Sequence, residues 1–297
     1  MIAYGLLTLL LLFFMYTKIP NPGAIVLLRV QSLAIVLALW GVYRMVPCGF
    51  TQAVRVLGQI GLLSAWYPET YEFNRVLPNL DHVFAAWEQQ LFGFQPALLF
   101  AQELGSAWVS EPLKLGYVSY YPVMVIVPLF YLLFRSNEFL KASFVLLTSF
   151  FLFYVIFIFL PVAGPQYYYL AVGTDQIAQG IFPNIGHYFE THTECLPAPG
   201  YTDGFFHQLL IIAHDAGERP TAAFPSSHLG VTTVLLWQAW ATKNRRFFWC
   251  LLPFGVLMFF GTFYILAHYA IDAIAGVLVG TLFYFLLSFL YRKLSLS

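Results

Sequence analysis

Long apolar runs are the feature that most restricts how this chain can fold. Of its 297 residues, 60% are hydrophobic and only 9% are charged. Apolar runs close to the ~20 residues that cross a hydrocarbon core predict membrane-spanning helices. We therefore expect an all-α, polytopic membrane helix bundle with seven or eight spans. The expected spans cover residues 2–16, 24–45, 115–134, 142–162, 228–241, 247–266 and 271–291, with a weaker eighth run at 53–66.

Two of these runs have a second interpretation. Residues 53–66 include Arg55 and Gln59, so this run is either a span or a helix that lies in the membrane interface. The first run is N-terminal, as a signal peptide would be, but no basic residue precedes it. We therefore expect an uncleaved span there.

The basic residues between the runs predict the orientation of the chain, because lysine and arginine favour cytoplasmic loops. The connection at 164–224 carries one basic residue, Arg219, against six carboxylates, and should lie outside. A net charge of zero without a basic stripe argues against a nucleic-acid partner. The clusters expected in the cytoplasm, the last of them at the C-terminus, are Arg135 with Lys141, Lys243 with Arg245 and Arg246, and Arg292 with Lys293.

Residues 67–112 are too polar to span the membrane and too aromatic for a free linker. Their pattern predicts a helix with one apolar face, lying flat on the outer membrane surface and closed by Gly93 and Pro96. We expect three parts in the chain: N-terminal spans (1–66), this interfacial segment (67–112) and a membrane core (113–297) with an outer loop at 164–224. The apolar positions of the helix are Leu80, Val83, Phe84, Trp87 and Leu91, and polar residues between them are Asp81, Glu88, Gln89 and Gln90.

Two polar strings at span ends carry the groups best suited to chemistry: Pro225-Ser226-Ser227-His228 and His268-Tyr269-Ala270-Ile271-Asp272. The predicted topology puts both on the outer face. Ionisable residues at such positions are usually functional. His268 and Asp272 are four residues apart, so on a helix the carboxylate would accept a hydrogen bond from the imidazole. The other ring nitrogen would then be free as a nucleophile or base.

The first string predicts a site for an anion. Proline, a serine cap and then apolar residues mark a helix start, where free N–H groups face anions. A phosphate fits both strings, because one histidine can attack phosphorus, the carboxylate can support it, and the other histidine can protonate the leaving group. This chemistry needs no metal and no cofactor, and we predict neither. The alternatives are two histidines satisfied inside a helix bundle, or zinc at a loose outer-loop cluster of His187, His192, His207 and His214.

The two strings resemble the second and third signature motifs of the type 2 phosphatidic acid phosphatase superfamily, Pro-Ser-Gly-His and Ser-Arg-(five residues)-His-(three residues)-Asp. Ser227 stands where the second motif has glycine. The resemblance implies a six-helix phosphatase-type core. It also implies that His268 forms a phosphohistidine, that His228 is the general acid and that Asp272 orients the nucleophile.

Two departures from the superfamily pattern remove cationic phosphate clamps. The first motif, Lys-(six residues)-Arg-Pro, is absent, because Arg219-Pro220 has Ile212 in the lysine position. The arginine of the third motif falls on Thr262. A branch that contains fungal inositol phosphorylceramide synthase and its bacterial relatives also lacks this arginine. The sequence is similar to that branch at residues 223–228, Tyr264 and His268-Tyr269. A looser similarity to the branch is found at residues 81–96 and 117–121.

Five residues are candidates for binding the substrate. Ser226 and Ser227 offer hydroxyl and backbone donors next to His228, and Arg219 is the one outer-loop cation. Gln166 follows a span, and Tyr120 lies at the start of another. Tyrosines at such positions are also typical of an interfacial aromatic belt, and Arg219 would suit a solvated loop equally well.

The resemblance implies a membrane-embedded lipid phosphotransferase or phosphatase that moves a phospho-headgroup to a lipid alcohol such as ceramide. A lipid-phosphate or polyprenyl-pyrophosphate phosphohydrolase is the alternative, because water can replace the alcohol. A non-catalytic transporter or scaffold would instead spread ionisable groups through its spans, where Arg29 is the clearest charge. We expect a phospholipid or lipid-phosphate substrate, a bacterial inner-membrane location and a periplasmic site, and make no prediction of oligomeric state.

Overall fold

A computed structural model describes residues 1–215 and 217–295, and this part of the chain consists of helices and their connections, without strands. The N-terminal helices are α1 (Ile2–Met15), α2 (Pro22–Met45) and α3 (Gly49–Asn74). They are followed by α4 (Asp81–Phe92), α5 (Pro96–Glu103), α6 (Ala107–Val118), α7 (Tyr120–Phe134) and α8 (Ser136–Phe159). The outer loop holds α9 (Pro165–Val172), α10 (Thr174–Ala178), a 3₁₀ turn (Tyr188–Glu190) and α11 (Phe205–Asp215). The last helices are α12 (Ser227–Ala241), α13 (Arg245–Tyr264) and α14 (Ala270–Ser295).

The helices confirm an integral membrane protein built as a polytopic helical bundle. In the described ranges, α2, α8, α13 and α14 are long and apolar enough to cross a membrane, and α6 with α7, bent by 45°, would be a fifth span. These four or five spans are fewer than the seven or eight that we predicted. The helices α1 and α12 have only 14 and 15 residues, less than the ~20 that a span needs. The longer α3 contains Arg55, Glu69 and Glu72.

A buried ion pair joins the three N-terminal helices. The Nη2 atom of Arg29 lies 2.7 Å from Oε1 of Glu69 and 2.7 Å from Oγ1 of Thr8. Its guanidinium also lies 4.3 Å from the centroid of the Trp66 ring, within the range of a cation–π interaction. The charge in the middle of this predicted span therefore has a structural partner on α3, since buried charges persist when they are paired and hydrogen-bonded.

Glycines allow close contact between the helices that hold the polar strings. A Cβ atom added at Gly276 or Gly280 of α14 would collide with the backbone of α12, at Ser226 and Gly230 respectively. A Cβ atom at Gly261 of α13 would collide in the same way with the backbone of α6. Small residues four apart are a common device for such approach in membranes. The α12 backbone therefore lies directly against α14.

The helix α4 forms as predicted and buries Phe84 of its apolar face, but two carboxylates of its predicted polar face are also buried. Asp81 and Glu88 are fully buried, whereas Trp87 and Leu91 are 53% and 64% exposed. Gly93, with a φ of 80°, ends the helix in the left-handed conformation that glycine adopts without strain. The two carboxylates are buried because each accepts hydrogen bonds from backbone N–H groups of other segments, as described below.

The outer loop is anchored to α6 and has its own helices. Glu111 accepts hydrogen bonds from the backbone N–H groups of Phe206 and His207 at 2.9 and 3.1 Å, at the start of α11. Nζ of Lys114, a fully buried residue, donates to the Tyr201 carbonyl at 2.6 Å. These contacts hold α11 against α6. The loop returns to the membrane core at residue 224, directly before the first polar string.

Candidate active site

The first polar string forms the predicted helix start. Ser226 is the N-cap of α12, and its Oγ atom accepts a hydrogen bond from the Leu229 N–H at 3.3 Å. The Ser226 N–H donates to the backbone carbonyl of Asp272 at 3.0 Å. The beginning of α12 is therefore tied to the beginning of α14, and the two strings meet.

His268 and His228 are in direct contact. Nε2 of His268 lies 3.4 Å from Nδ1 of His228, and Nδ1 of His268 lies 2.8 Å from the Ala223 carbonyl oxygen. Because a carbonyl only accepts, the hydrogen of the neutral imidazole belongs on Nδ1 and the lone pair on Nε2. Burial lowers the pKa of His268 to about 4. At neutral pH the ring is therefore uncharged, with Nε2 free to act as a nucleophile.

Asp272 does not accept the hydrogen bond that we predicted from His268. The helix α14 begins only at Ala270, so the helical spacing rule does not apply to His268. The Ala223 carbonyl takes the hydrogen bond instead. Oδ2 of Asp272 lies 3.7 Å from Nδ1 of His268 and accepts the Tyr269 N–H at 2.8 Å. Asp272 is thus a nearby carboxyl group, while a backbone carbonyl fixes the ring.

Two carboxylates of α4 hold the segments on either side of this site. Asp81 accepts hydrogen bonds from the Ala163 N–H at 2.6 Å, the Gly164 N–H at 2.8 Å and the Tyr269 hydroxyl at 3.0 Å. Glu88 accepts the Ala270 N–H at 2.6 Å. Both carboxylates therefore form hydrogen bonds with the segment that directly follows His268. The sequence pattern had assigned them to the polar face of an amphipathic helix, so their part in the site was missed.

A cavity of about 310 Å³ lies beside His228. The rings of Tyr117 and Tyr120 flank the imidazole, each with its centroid 4.7 Å from that of His228. Ser227 also lines the cavity, so two of the predicted binding residues, Tyr120 and Ser227, lie here with His228. Further lining residues come from α3, α7 and α8, including Ile60, Leu63, Tyr67, Met124 and Tyr154.

The other predicted binding residues have different positions. The Ser226 hydroxyl caps α12, and Ser226 does not line the cavity. Arg219 is exposed and donates to the Glu218 carbonyl at 2.9 Å, so it is not brought to the histidines. Gln166 is buried and its amide donates to the Glu218 carboxylate. Glu218, which we did not predict, lines the cavity where a cation was expected.

The outer-loop histidines do not form a cluster. His214 lies 3.0 Å from Glu218, and His192 stacks on the Tyr188 ring with centroids 4.0 Å apart. In the described part of the chain, no group of three or more His, Cys, Asp or Glu residues is placed to hold a metal ion.

Comparison with known families agrees with the motif resemblance. A family model described as the PAP2 superfamily matches residues 82–286, more than half of the chain. The protein belongs to this superfamily. The matched region contains both histidines and nearly all of α4, whereas α1–α3 precede it. Searches of curated proteins and of solved structures found no match. Membership supports a phosphatase or phosphotransferase type of activity on lipid phosphates.

Proposed function

We propose that this superfamily member is a lipid phosphotransferase that works through a phosphohistidine at His268. The observation that carries the proposal is the contact of the Nε2 lone pair of His268 with the imidazole of His228 at 3.4 Å. The Ala223 carbonyl accepts the hydrogen of Nδ1 and so leaves the lone pair of Nε2 as the nucleophile, and a second imidazole lies beside Nε2 to move a proton.

The reaction has two steps. First, Nε2 of His268 attacks phosphorus, the bond between phosphorus and the lipid alcohol oxygen breaks, and His228, whose protonation the bound phosphate anion favours, gives this oxygen its proton. Second, the oxygen of an acceptor alcohol attacks phosphorus, its proton passes to His228, and the phosphorus–nitrogen bond breaks. The negative charge of Asp272, 3.7 Å from Nδ1, balances the positive charge on the phosphorylated ring.

The cavity favours a phosphodiester donor. Its described lining residues include no lysine or arginine. A phosphomonoester carries one more negative charge than a diester and would need more cationic support. We propose a phospholipid donor and a lipid alcohol acceptor, as in the sphingolipid-synthesising branch. Hydrolysis is the second candidate, because the same phosphohistidine can be attacked by water.

The experiment that tests this proposal traces the phosphorus atom of the donor lipid into the reaction products. The purified protein is given a phospholipid labelled at phosphorus, with and without a lipid alcohol, and the labelled products are separated. We expect a new labelled lipid that forms only when the alcohol is present. Release of inorganic phosphate from phosphatidic acid, without an acceptor-dependent lipid, would contradict the transferase proposal and leave a phosphohydrolase.

We also propose that the protein lies in a bacterial inner membrane, with this site on the periplasmic face and the C-terminus in the cytoplasm. The basic clusters between the spans support this orientation.

The three-part division of the chain remains a proposal, although α3 continues past residue 66 to Asn74. A transporter or scaffold is less well supported, because Arg29, the charge that favoured it, is paired with Glu69.

Chelation should leave the activity unchanged, because two imidazoles and one carboxylate supply the nucleophile, the proton and the balancing charge. We expect EDTA to have no effect on the rate of lipid turnover. The measurement compares initial rates before and after dialysis against EDTA. Reversible inhibition, relieved by a divalent ion, would contradict the metal-free mechanism.

Asp272→Asn should lower turnover by roughly 10- to 100-fold, the effect of one nearby charge on an ionising group. The loss should be smaller than that from removing the histidine, because the Ala223 carbonyl still fixes the tautomer of His268. Initial rates and thermal unfolding in detergent are measured together. A loss as large as that of His268→Ala would mean that Asp272, and not Ala223, orients the ring.

A further inference from the structure

The cavity beside His228 is aromatic and acidic, although it adjoins a site proposed to bind phosphate. Glu218 is the only carboxylate among its described lining residues. Most of the aromatic rings that line it belong to tyrosines, which offer a ring face and a hydroxyl, and Phe150 adds one ring without a hydroxyl; the tyrosines are Tyr67, Tyr117, Tyr120, Tyr121 and Tyr154. A pocket of this composition is unsuited to a ligand that is only an anion, because Glu218 would repel it.

Glu218 is held in place by two neighbours. Nε2 of His214 lies 3.0 Å from Oε2 of Glu218, and the Gln166 amide donates to the same carboxylate. Burial raises the pKa of the Glu218 carboxyl, and His214 and Gln166 oppose that increase. A cation bound nearby would further favour the ionised form.

The carboxylate also acts on the groups around it. Glu218 lines the same cavity as Tyr67, Tyr117 and Tyr121, and its ionised form would favour a positive charge on the imidazole of His268. Glu218 therefore lies near both the aromatic wall and the proposed nucleophile. A ligand whose phosphate reaches His268 would bring the next few atoms of its headgroup close to Glu218.

Tyrosine faces attract cations, and quaternary ammonium groups are commonly recognised by several such rings with a carboxylate nearby. We propose that the donor is a lipid phosphodiester whose headgroup ends in an ammonium group, with the phosphate at His268 and His228 and the cation between Glu218 and the tyrosines. This inference rests on the proposed phosphotransferase function and names its donor class. The cavity volume of about 310 Å³ suits a headgroup, being near the lower end of the range for ligand pockets.

The test compares two donors with identical acyl chains, phosphatidylcholine and phosphatidylglycerol, each labelled at phosphorus and presented in the same detergent micelles. Total transfer and release of label is measured, so the result does not depend on the acceptor. We expect a kcat/KM for phosphatidylcholine at least about tenfold higher, as a desolvated cation site would provide. Glu218→Gln should reduce this ratio by about tenfold, mainly through the KM for phosphatidylcholine.

Matched variants distinguish the effect of the Glu218 charge and of the tyrosine rings from a general effect on packing. Glu194→Gln removes an exposed carboxylate of the same loop and should leave the ratio unchanged. Tyr121 is 45% exposed, so its substitution should leave the fold intact: Tyr121→Phe keeps the ring and should keep the preference, whereas Tyr121→Leu should weaken it. Competition gives a readout without any variant, because soluble phosphocholine should inhibit the native protein at lower concentration than glycerol phosphate.

The outcomes distinguish a failure of the headgroup inference from a failure of the proposed phosphotransferase function. Equal use of both donors, or an equal loss with both donors in Glu218→Gln, would overturn the headgroup inference and leave the phosphotransferase function intact. Failure of the native protein to turn over any lipid phosphate would remove the proposed function and this inference with it. If Glu218→Gln does not fold, the donor ratio and the competition of the native protein still decide the matter.

Discussion

Replacement of His268 by alanine is expected to abolish lipid turnover, with a loss of at least the ~10² to 10⁴-fold that removal of a general acid or base causes. The loss should be this large because no other described group occupies the position of Nε2 beside His228. Folding should survive, since the variant loses one hydrogen bond to the Ala223 carbonyl, at a cost of about 1–3 kcal/mol. Initial rates and thermal unfolding are measured on the same preparation.

The matched control is His187→Ala, which removes an exposed imidazole of the outer loop and should leave the rate unchanged. A rapid quench with labelled donor should trap label on the native protein and none on His268→Ala. His268→Ala protein that kept its rate, or that still became labelled, would show that the nucleophile lies elsewhere.

Asp81→Ala should destabilise the protein by about 3–5 kcal/mol, because it removes a buried carboxyl group that accepts several hydrogen bonds. The change would leave the N–H groups of Ala163 and Gly164 and the Tyr269 hydroxyl without their acceptor. Each unsatisfied donor costs about 1–3 kcal/mol, and part of this is recovered by relaxation. Because Tyr269 follows His268, we also expect a lower rate at temperatures where the variant remains folded. Thermal unfolding and initial rates in detergent measure the two effects.

Asp175→Ala is the control for this change, because Asp175 is an exposed carboxylate of the outer loop and should be neutral in both measurements. An unfolding temperature of Asp81→Ala equal to that of the native protein would contradict the positioning role of α4. A stable variant with an unchanged rate would show that the segments at 163–164 and 268–270 hold their places without Asp81.

The sequence predicts those parts of the protein that depend on local patterns. Apolar runs identify the membrane helices, and the serine before His228 identifies the start of α12. The spacing of His268 and Asp272 suggests the site, although it gave the wrong hydrogen bond, because the partner of His268 is a carbonyl at Ala223, distant in sequence. Every residue has a backbone carbonyl, so the amino-acid sequence does not indicate which one accepts this hydrogen bond.

The inward face of α4 could not be predicted for a related reason. An amphipathic pattern assumes that carboxylates face water, but the partners of Asp81 are N–H groups 82 and 83 residues later in the chain. Glu218 was missed because charge arguments for a phosphate site direct attention to its neighbour Arg219. Which of two adjacent residues enters a cavity depends on the path of the loop before α12, where Thr221 is hydrogen-bonded to Asn74 and the Ala223 N–H donates to the Val162 carbonyl.

The glycine contact of α12 with α14 determines where directed evolution of this protein can succeed. With backbone lying against backbone at Gly276 and Gly280, the helices that position His228 and Asp272 have no side-chain layer to repack, and most substitutions at these glycines would be lost from a library. The opposite wall of the cavity has no such restriction. Saturation of Ile60, Leu63 and Met124 should therefore yield variants that accept altered lipids while the reacting groups keep their geometry.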